Sequence, residues 1–589
     1  MVDEVAKEDE WELKTIDDFS GGLNTNKREN AISDNQLVAL SNIITQKDQV
    51  RVDTGYTTFG PSVRGYPQAI IQFRKTTGTI TLCLITTATF YIWSTSKEEW
   101  QYISDGTSTT ADGGEPAGET SINVADITGF SNGDYIGLAL SDGTQHQTTI
   151  NGSPSGTTIV ITDGIPSGVT LANGAVIVKA KDLSGDADHQ VDYVTIANSD
   201  WLVFTNGVDI VQRYDGATVE DVPNLPSSGN VVCKALAYFN GHLILLNTVE
   251  GGTAYPQRAR RSDTYDPTEW TTGNAGYNDL DANSYSIQAA APLGPYVIIY
   301  KDKSIVRTEY VGTTDKLFDF VDTIQGDSAV STQAIVVFKD YHVLVGSSNV
   351  YKYQGGLTYE ELGDNIYRGV FGQAGDLNPT YKGRTVAFYV QELDEVWILY
   401  PNGSNAVPVK VLRYNLQNRS WWVRDLADDI LGYGTYKVTS TRTWNDLTGT
   451  WAEQNWTWNS VSVLANAATI LLCGYTDKQV FEYNYTAGDD DGTDIAYSMT
   501  TKDFYHKHYY IRVNVLEMLV AGSSITVEYS IDKGETWSTY GTASPGVSLA
   551  HTKIWKQIVG RRVRFRISGS GSGFKLDWLS FEFVVESEW

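Results

Sequence analysis

The sequence predicts an all-β protein built on a β-propeller of about six to seven blades, with a small inserted β-domain and a C-terminal β-sandwich. Three observations carry that reading. Aromatics make up 12% of the chain and glycine numbers 54, while charged residues are only 20%, a mixture that suits strands and tight turns rather than long surface helices. One strand–turn–strand theme recurs along most of the length. And 589 residues exceed one ordinary hydrophobic core, so several units, or one large radial one, are required.

Residues 1–60 read as an N-terminal arm and first strand: a glycine turn, a short amphipathic helix capped near Ser33, and a strand ending at Gly55-Tyr56. The propeller opens within 61–112 with ITLCLITTATFYIWSTSKEEWQYI from Ile80. Residues 113–182 break the rhythm with a stretch rich in Gly, Thr and Ser and poor in aromatics, expected to be a small inserted β-domain. Its Asn132-Gly133-Asp134, Asp142-Gly143 and Asn173-Gly174 steps are turn signals between short strands.

The remaining blades fall within 183–485. Their copies of the theme begin at Val194, Leu236, Pro295, Val336 and Val386, with a weaker one, TILLCGYTDKQVFEYNY, at Thr469. Most neighbours recur at about 40 to 60 residues, close to the length of a four-stranded blade. Each copy joins a near-continuous apolar strand, such as YVIIY, through a short polar turn to an alternating strand. That is the pattern of a buried inner strand followed by a more exposed one. A sandwich does not hold seven such copies in series. From 486 to 589 the segments YYIRVNVLEML, SITVEYSIDKGETW, RRVRFRIS and KLDWLSFEFVV alternate apolar with polar residues, as a terminal antiparallel sandwich does.

Lysine and arginine total 44 against 71 aspartate and glutamate, a formal charge of −27. Such a chain repels nucleic acid and anionic membrane in general. A conduit for DNA nevertheless gains from walls the phosphates do not grip. Cys83, Cys233 and Cys473 lie far apart and form no Cys-x-x-Cys pair, so buried thiols made in a reducing cytoplasm are expected. The start, MVDEVAKEDEWELK, is acidic where a secretory signal is basic and then apolar. No apolar run approaches membrane-spanning length, and a soluble protein without an export signal is the expectation.

Candidate chemistry is sparse. Ser530, Asp532, Gly534, Thr536 and Trp537 match the S-x-D-x-G-x-T-W pattern of the Asp-box, a turn in which Asp and Ser satisfy amides while Trp packs beneath. It is a folding device and carries no catalytic group. Arg258, Arg260 and Arg261 form the one dense arginine group, expected to be ion-paired at a blade edge or subunit contact rather than free for a substrate carboxylate. His506 and His508 share one strand face with Asp503 nearby, and two ligands do not make a metal site. GDDDGTD at 488–494 lacks the spacing and distal Glu of a calcium loop, so a solvated linker is expected. No phosphate loop, G-x-S-x-G elbow or H-E-x-x-H occurs. The residues therefore point to no catalytic site, no cofactor, no metal and no enzyme.

The stretch from Asp17 to Gly60 contains SGGLN, then DNQ, and later an arginine and a Gly-Tyr step. ARRSDTYDPTEWTTG follows at 259–273, YVIIYKDKSIVRTEYVG at 296–312, and RTWNDLTGTWAEQNWTWN at 442–459. In this order the segments resemble the β-propeller nozzle (tail tubular or hub) proteins of podovirus-like short-tailed bacteriophages. The resemblance implies a virion protein, made in the host cytoplasm and built into the tail, that forms a homohexameric ring. It further implies docking to the adaptor or connector ring, tail fibres outside, and genomic DNA in transit through the lumen. Within the last segment, Trp444, Trp451, Trp456 and Trp458 are candidate structural or interface anchors, as are Trp421 and Trp422 upstream. Facing water, they would instead stack on sugars. A glycan-binding tail adhesin is therefore the alternative, and a sialidase-like or depolymerase enzyme stands third.

Overall fold

The computed structural model describes residues 11–46, 49–313, 316–437 and 468–586. Six four-stranded antiparallel sheets follow one another with strictly consecutive strand order. They run from Pro67–Arg74 to Glu99–Tyr102 (blade 1), Asp192–Ile196 to Val219–Asp221 (blade 2), and Val231–Phe239 to Gly276–Asp279 (blade 3). Blades 4 to 6 run from Ile287–Leu293 to Phe318–Gln325, Ile335–Val337 to Tyr359–Glu361, and Val386–Val390 to Ser420–Asp425. Blade 7 takes Ile430–Tyr436, Thr469–Gly474 and Val480–Tyr483 from late in the chain and is completed by the early strand Tyr56–Thr58, antiparallel with Tyr483 opposite Tyr56.

Every consecutive pair of blades shares a hydrophobic cluster, and so do blades 7 and 1. Phe90, Phe204 and Tyr214 join blades 1 and 2; Leu236, Leu243 and Trp270 pack with Val203 between blades 2 and 3. Ile70, Leu84, Tyr91 and Trp100 meet Leu471 and Cys473 where the circle closes. The closure is tight: a Cβ on Gly432 would lie 1.9 Å from the carbonyl oxygen of Gln68, and one on Gly434 would lie 2.3 Å from that of Ile70. The Gly-Tyr-Gly step is thus where the blade 1 backbone presses on blade 7. The all-β propeller of about six to seven blades expected from the repeats is the observed architecture, with seven blades.

The insertion between blades 1 and 2 has its own core, with Ile122, Val124, Leu138, Ile159, Leu171 and Ile177 among its members. Its main sheet pairs Ser104–Thr110, Val176–Ala180, Tyr135–Ala139 and Gln145–Thr149. The sandwich draws strands from both parts of the chain. One sheet orders Ile43–Gln46, Gln49–Val52, Lys575–Glu586, Tyr510–Gly522 and Gly546–Gly560, with Glu12–Ile16 also beside Lys575–Glu586. The other places Gly22–Leu23 and Gln36–Ser41 beside Ala496–Thr501, Arg562–Ser570, Ile525–Ser530 and Ser538–Ala543.

The helix expected near Ser33 does not form. Residues 36–41 are a strand instead, paired with Ala496–Thr501, because partners more than 450 residues away satisfy its backbone and bury Leu37 and Leu40.

Candidate functional site

Polar residues just ahead of the inner strands of blades 2, 5 and 6 meet one another across the propeller. Gln190, just before the inner strand of blade 2, donates from Nε2 to the carbonyl of Thr385 at the head of blade 6 (3.1 Å). Its Oε1 accepts the backbone N–H of Gln333 at the head of blade 5 (3.2 Å), and Gln333 Nε2 donates to the carbonyl of Val191 (2.9 Å). Ser331 Oγ donates to the same Thr385 carbonyl (2.6 Å). Lys234 of blade 3 donates to Gln288 of blade 4. Hydrogen bonds between blade 2 and blades 5 and 6 therefore bridge the axis, and the propeller is not an open bore at this level.

Above the bridge lies a half-open funnel of about 400 Å³ lined by Asp188, His189, Gln190, Asn206, Lys234, Asn247, Ser331 and Thr332, with Val232, Val249 and Val330 between them. Titratable groups of its lining, and Asp192 on the neighbouring inner strand of blade 2, are perturbed in different directions. Asp188 is held below the usual carboxylate range by the hydrogen bond from Arg384 Nε (2.7 Å). Asp192, on the inner strand of blade 2, is pushed up to about 7 by burial, against the backbone N–H groups of Leu236 (2.7 Å) and Tyr193 (2.9 Å) that its carboxylate accepts. Burial likewise lowers Lys234. The amides and hydroxyls of Gln190, Asn206, Asn247, Ser331 and Thr332 in its lining suit a hydroxyl- or amide-bearing ligand. None of these residues stands out in the sequence, since single polar residues at strand starts are common; their shared position at the heads of the repeats was the available signal.

A second charged cluster is closed to solvent. Arg413 Nε lies 2.7 Å from Glu395 Oε2, its Nη1 pairs with Asp53, and its guanidinium lies 4.6 Å from the Trp397 ring. Arg424 Nε lies 3.5 Å from Asp53, and its Nη2 pairs with Asp490. Burial opposes ionisation of Asp53, yet the two guanidiniums hold it below its ordinary range. Burial pushes Asp490 up to about 6. The 488–494 stretch is thus not the solvated linker expected. Asp489–Asp490 and Thr493–Asp494 form a small hairpin on blade 7, and Asp490 is buried because Arg424 receives it.

Arg258, Arg260 and Arg261 sit on the third strand of blade 3. Arg258 makes a bidentate pair with Asp279 (2.8 and 2.8 Å), and Arg260 one with Glu250 (2.7 and 2.6 Å). The ring of Tyr277 lies under Arg258 at 3.9 Å. Arg261 donates to the Asn274 carbonyl (2.9 Å) and to Asn278 Oδ1 (2.7 Å). Trp421 and Trp422 are buried, Trp421 donating to the Leu362 carbonyl at 3.0 Å, which excludes sugar stacking by either. Trp444, Trp451, Trp456 and Trp458 lie outside the described residues.

At the Asp-box, Ser530 Oγ accepts the N–H of Gly534 (2.8 Å), Asp532 accepts that of Thr536 (2.9 Å), and Arg566 stacks over Trp537 at 4.2 Å. Asp503, beside His506, is committed to Arg564 (2.6 Å) and Arg562 (3.1 Å). Among the described residues no group of three or more His, Cys, Asp and Glu could hold a metal, and no helix is long and apolar enough to cross a membrane.

No family model matches the chain, and no curated protein matches it. Solved structures similar to it include an exo-β-1,3-galactanase from Phanerochaete chrysosporium, at 9% identity and TM-score 0.22 over 59% of this chain and 95% of that one. A xyloglucan-locus glycoside hydrolase, GH43B, from Bacteroides ovatus matches at 10% identity and TM-score 0.23, over 66% and 97%. AztD from Citrobacter koseri matches at 11% and 0.26, over 55% and 82%. Against the expectation that the chain is not an enzyme, the first two are named as a galactanase and a glycoside hydrolase.

Proposed function

We propose that the chain is a subunit of the nozzle, or hub, of a short bacteriophage tail. Copies assemble as a ring, six in the reading the resemblance favours, joined to the connector above and to fibres outside, with the genome passing between them. The observation that supports this most is where the family-like segments fall. Three of them, within the described residues, lie at joints on which the fold depends. Gly22 of SGGLN, at φ +61°, lets the arm run against blade 6, where a Cβ would lie 2.5 Å from the Trp421 carbonyl oxygen. Trp270 of DPTEW fills the cluster between blades 2 and 3. Tyr300 of YVIIY bonds His342 of blade 5 at 2.7 Å. A shared order of joint-forming residues is harder to reach by chance than a shared composition.

The bridged axis fits the same reading, because a chain whose own propeller is closed serves as a wall block and leaves the passage between copies. Six copies carry six times −27, or −162, which suits a lumen that does not hold phosphates. Electron microscopy of the purified full chain, with gold-labelled antibody on virions, tests this. Rings with an axial lumen and label at the tail are expected; a monomer at micromolar concentration and unlabelled tails would refute it.

A second reading, a glycan-binding module, draws on the amides and hydroxyls of the axial funnel. Glycan-array binding that disappears in Gln190→Ala would favour it, and sugar released in the same assay would add turnover.

A further inference from the structure

Blade 3 turns one face of its first two strands toward the axial funnel. Side chains of Val231–Phe239 and His242–Glu250 alternate between faces, so Val232 and Lys234 share one side of the first strand and Asn247 and Val249 one side of the second. The antiparallel register sets Val232 opposite Val249, and all four residues line the funnel of about 400 Å³. An apolar pair therefore lies beside a polar pair on a single patch. Asn247 is held there by a break in the ladder: its φ is +56°, a left-handed conformation that Asn adopts more readily than most residues, and the pairing with Thr253–Arg261 shifts register between Leu246 and Thr248. Bulges of this kind re-aim a side chain.

The hydrogen-bonding capacity left unused on this patch defines what it can hold. Lys234 Nζ donates to Gln288 Oε1, and Gln288 Nε2 donates in turn to Asp302 Oδ1 (2.5 Å). Among the described residues no carboxylate pairs with Lys234 directly, so two of its three N–H donors remain for a ligand. Burial already lowers Lys234, and a carboxylate beside it would restore its charge. The nearby acids are committed elsewhere: Asp188 Oδ1 accepts from Arg384 Nε (2.7 Å), and Asp192 accepts the N–H groups of Leu236 (2.7 Å) and Tyr193 (2.9 Å). Asn247 Nδ2 donates to the Ile287 carbonyl (2.8 Å), which leaves Oδ1 as an acceptor. The patch thus offers a cation without a direct counter-charge, a neutral acceptor and an apolar floor.

We propose that the funnel binds a sugar acid, a pyranose bearing one carboxylate, with the carboxylate on Lys234, a ring hydroxyl donating to Asn247 Oδ1, and the C–H face of the ring against Val232 and Val249. A small carboxylate without a sugar ring would leave Asn247 and the valines uncovered. A neutral sugar would leave Lys234 without its counter-charge. The inference rests on the glycan-binding reading given second above and names its ligand class; it does not depend on ring assembly.

The test is isothermal titration of the full chain with sodium glucuronate, glucose and sodium acetate, on wild type, Lys234→Met and Asn247→Gly. Glycine keeps the left-handed backbone at 247 while removing the amide, and circular dichroism with melting checks that each variant folds. The wild-type comparison of the three probes stands whether or not they do. Glucuronate is expected to bind wild type at least about tenfold more tightly than glucose or acetate, the gain of a charge-assisted hydrogen bond. Lys234→Met should remove that advantage and leave glucose binding unchanged, while Asn247→Gly should weaken both sugars and not acetate. Glucuronate that binds wild type no better than glucose would overturn the acid class and leave the glycan-binding reading standing. Acetate that matches glucuronate would reduce the site to one for simple anions and overturn the sugar. Glucuronate binding that neither substitution weakens would overturn this site. Absence of binding by both sugars would overturn the proposal, and a blank glycan array as well would overturn the glycan-binding reading with it.

Discussion

Replacing Arg413 by methionine removes the one cation placed between Asp53 and Glu395 while keeping most of the apolar volume over Trp397. Arg413 and Asp53 side chains are each 1% exposed and Glu395 8%, so neither carboxylate gains water to compensate. Breaking a buried pair from one side typically costs about 3 to 5 kcal/mol, because a charge is left uncompensated. Arg424 at 3.5 Å from Asp53 returns little of this, as it already holds Asp490. A propeller of about 360 residues, at about 2.1 cal/mol/K per residue, unfolds with an entropy of about 0.8 kcal/mol/K, so a loss of about 4 kcal/mol lowers its Tm by about 5 °C. Scanning calorimetry at pH 7 reads this directly. Asp53→Asn and Glu395→Gln added to Arg413→Met should restore most of the loss, since the stranded charges are then gone. A single variant that melts within about 1 °C of wild type would refute the view that this cluster ties the N-terminal segment to blade 6.

Other outcomes follow from the same geometry. Asp192 and Asp490 have folded pKa values raised to about 7 and about 6, above the 3.8 of a free aspartate. Their burial therefore penalises folding most above those values and is relieved as pH falls toward 4. Urea midpoints of wild type should rise from pH 8 to 5 through this contribution, before the lowered Asp53 and Asp188 reverse the trend in stronger acid. Asp192→Asn should flatten the rise, and an unchanged slope would count against the assignment. Gly432→Val places methyls against the Gln68 carbonyl and should part blades 1 and 7, costing about 1 to 3 kcal/mol and exposing 56–67 to protease. Trp421→Ala should cost about 3 to 5 kcal/mol, as for a large buried aromatic, with no effect on glycan binding.

The propeller, at about six to seven blades, and the order of the blades were legible because each blade repeats a local pattern: an apolar run, a tight turn and an alternating strand. The helix near Ser33 was misread for the complementary reason. DNQLVALSN has helix-like spacing, and its strand state is decided by Ala496–Thr501, which no local window contains. The arginine groups divide the same way. Arg258 and Arg260 find Asp279 and Glu250 within the blade, so their ion pairing could be expected from neighbours in sequence. Arg413 and Asp53 are 360 residues apart, and only the inward phase of Arg413 in KVLRYN marked it as a charge that needed a partner. The axial funnel is the extreme case, assembled from two strands of blade 3 and from connections at blades 2, 5 and 6.

The closing strand of the propeller accounts for the composition of the sandwich. Tyr56–Thr58 is fixed at the third strand of blade 7, whose continuation enters Asp489–Asp490 beside it. The residues immediately before 56 and those after 494 therefore leave the propeller at the same place, and pairing them costs little loop entropy. Ile43, Val50, Leu576 and Leu579 then share one core with Val513 and Phe565. A chain cut at 485 would leave Leu37, Leu40, Ile43 and Val50 without cover and blade 7 without Asp490. It is expected to be insoluble or to melt well below the full chain, despite retaining every blade strand of the repeats. A fragment 486–589 should fold only when 11–52 is supplied in trans. Independent folding of either piece, seen as a cooperative melt, would show that the sandwich does not depend on both ends of the chain.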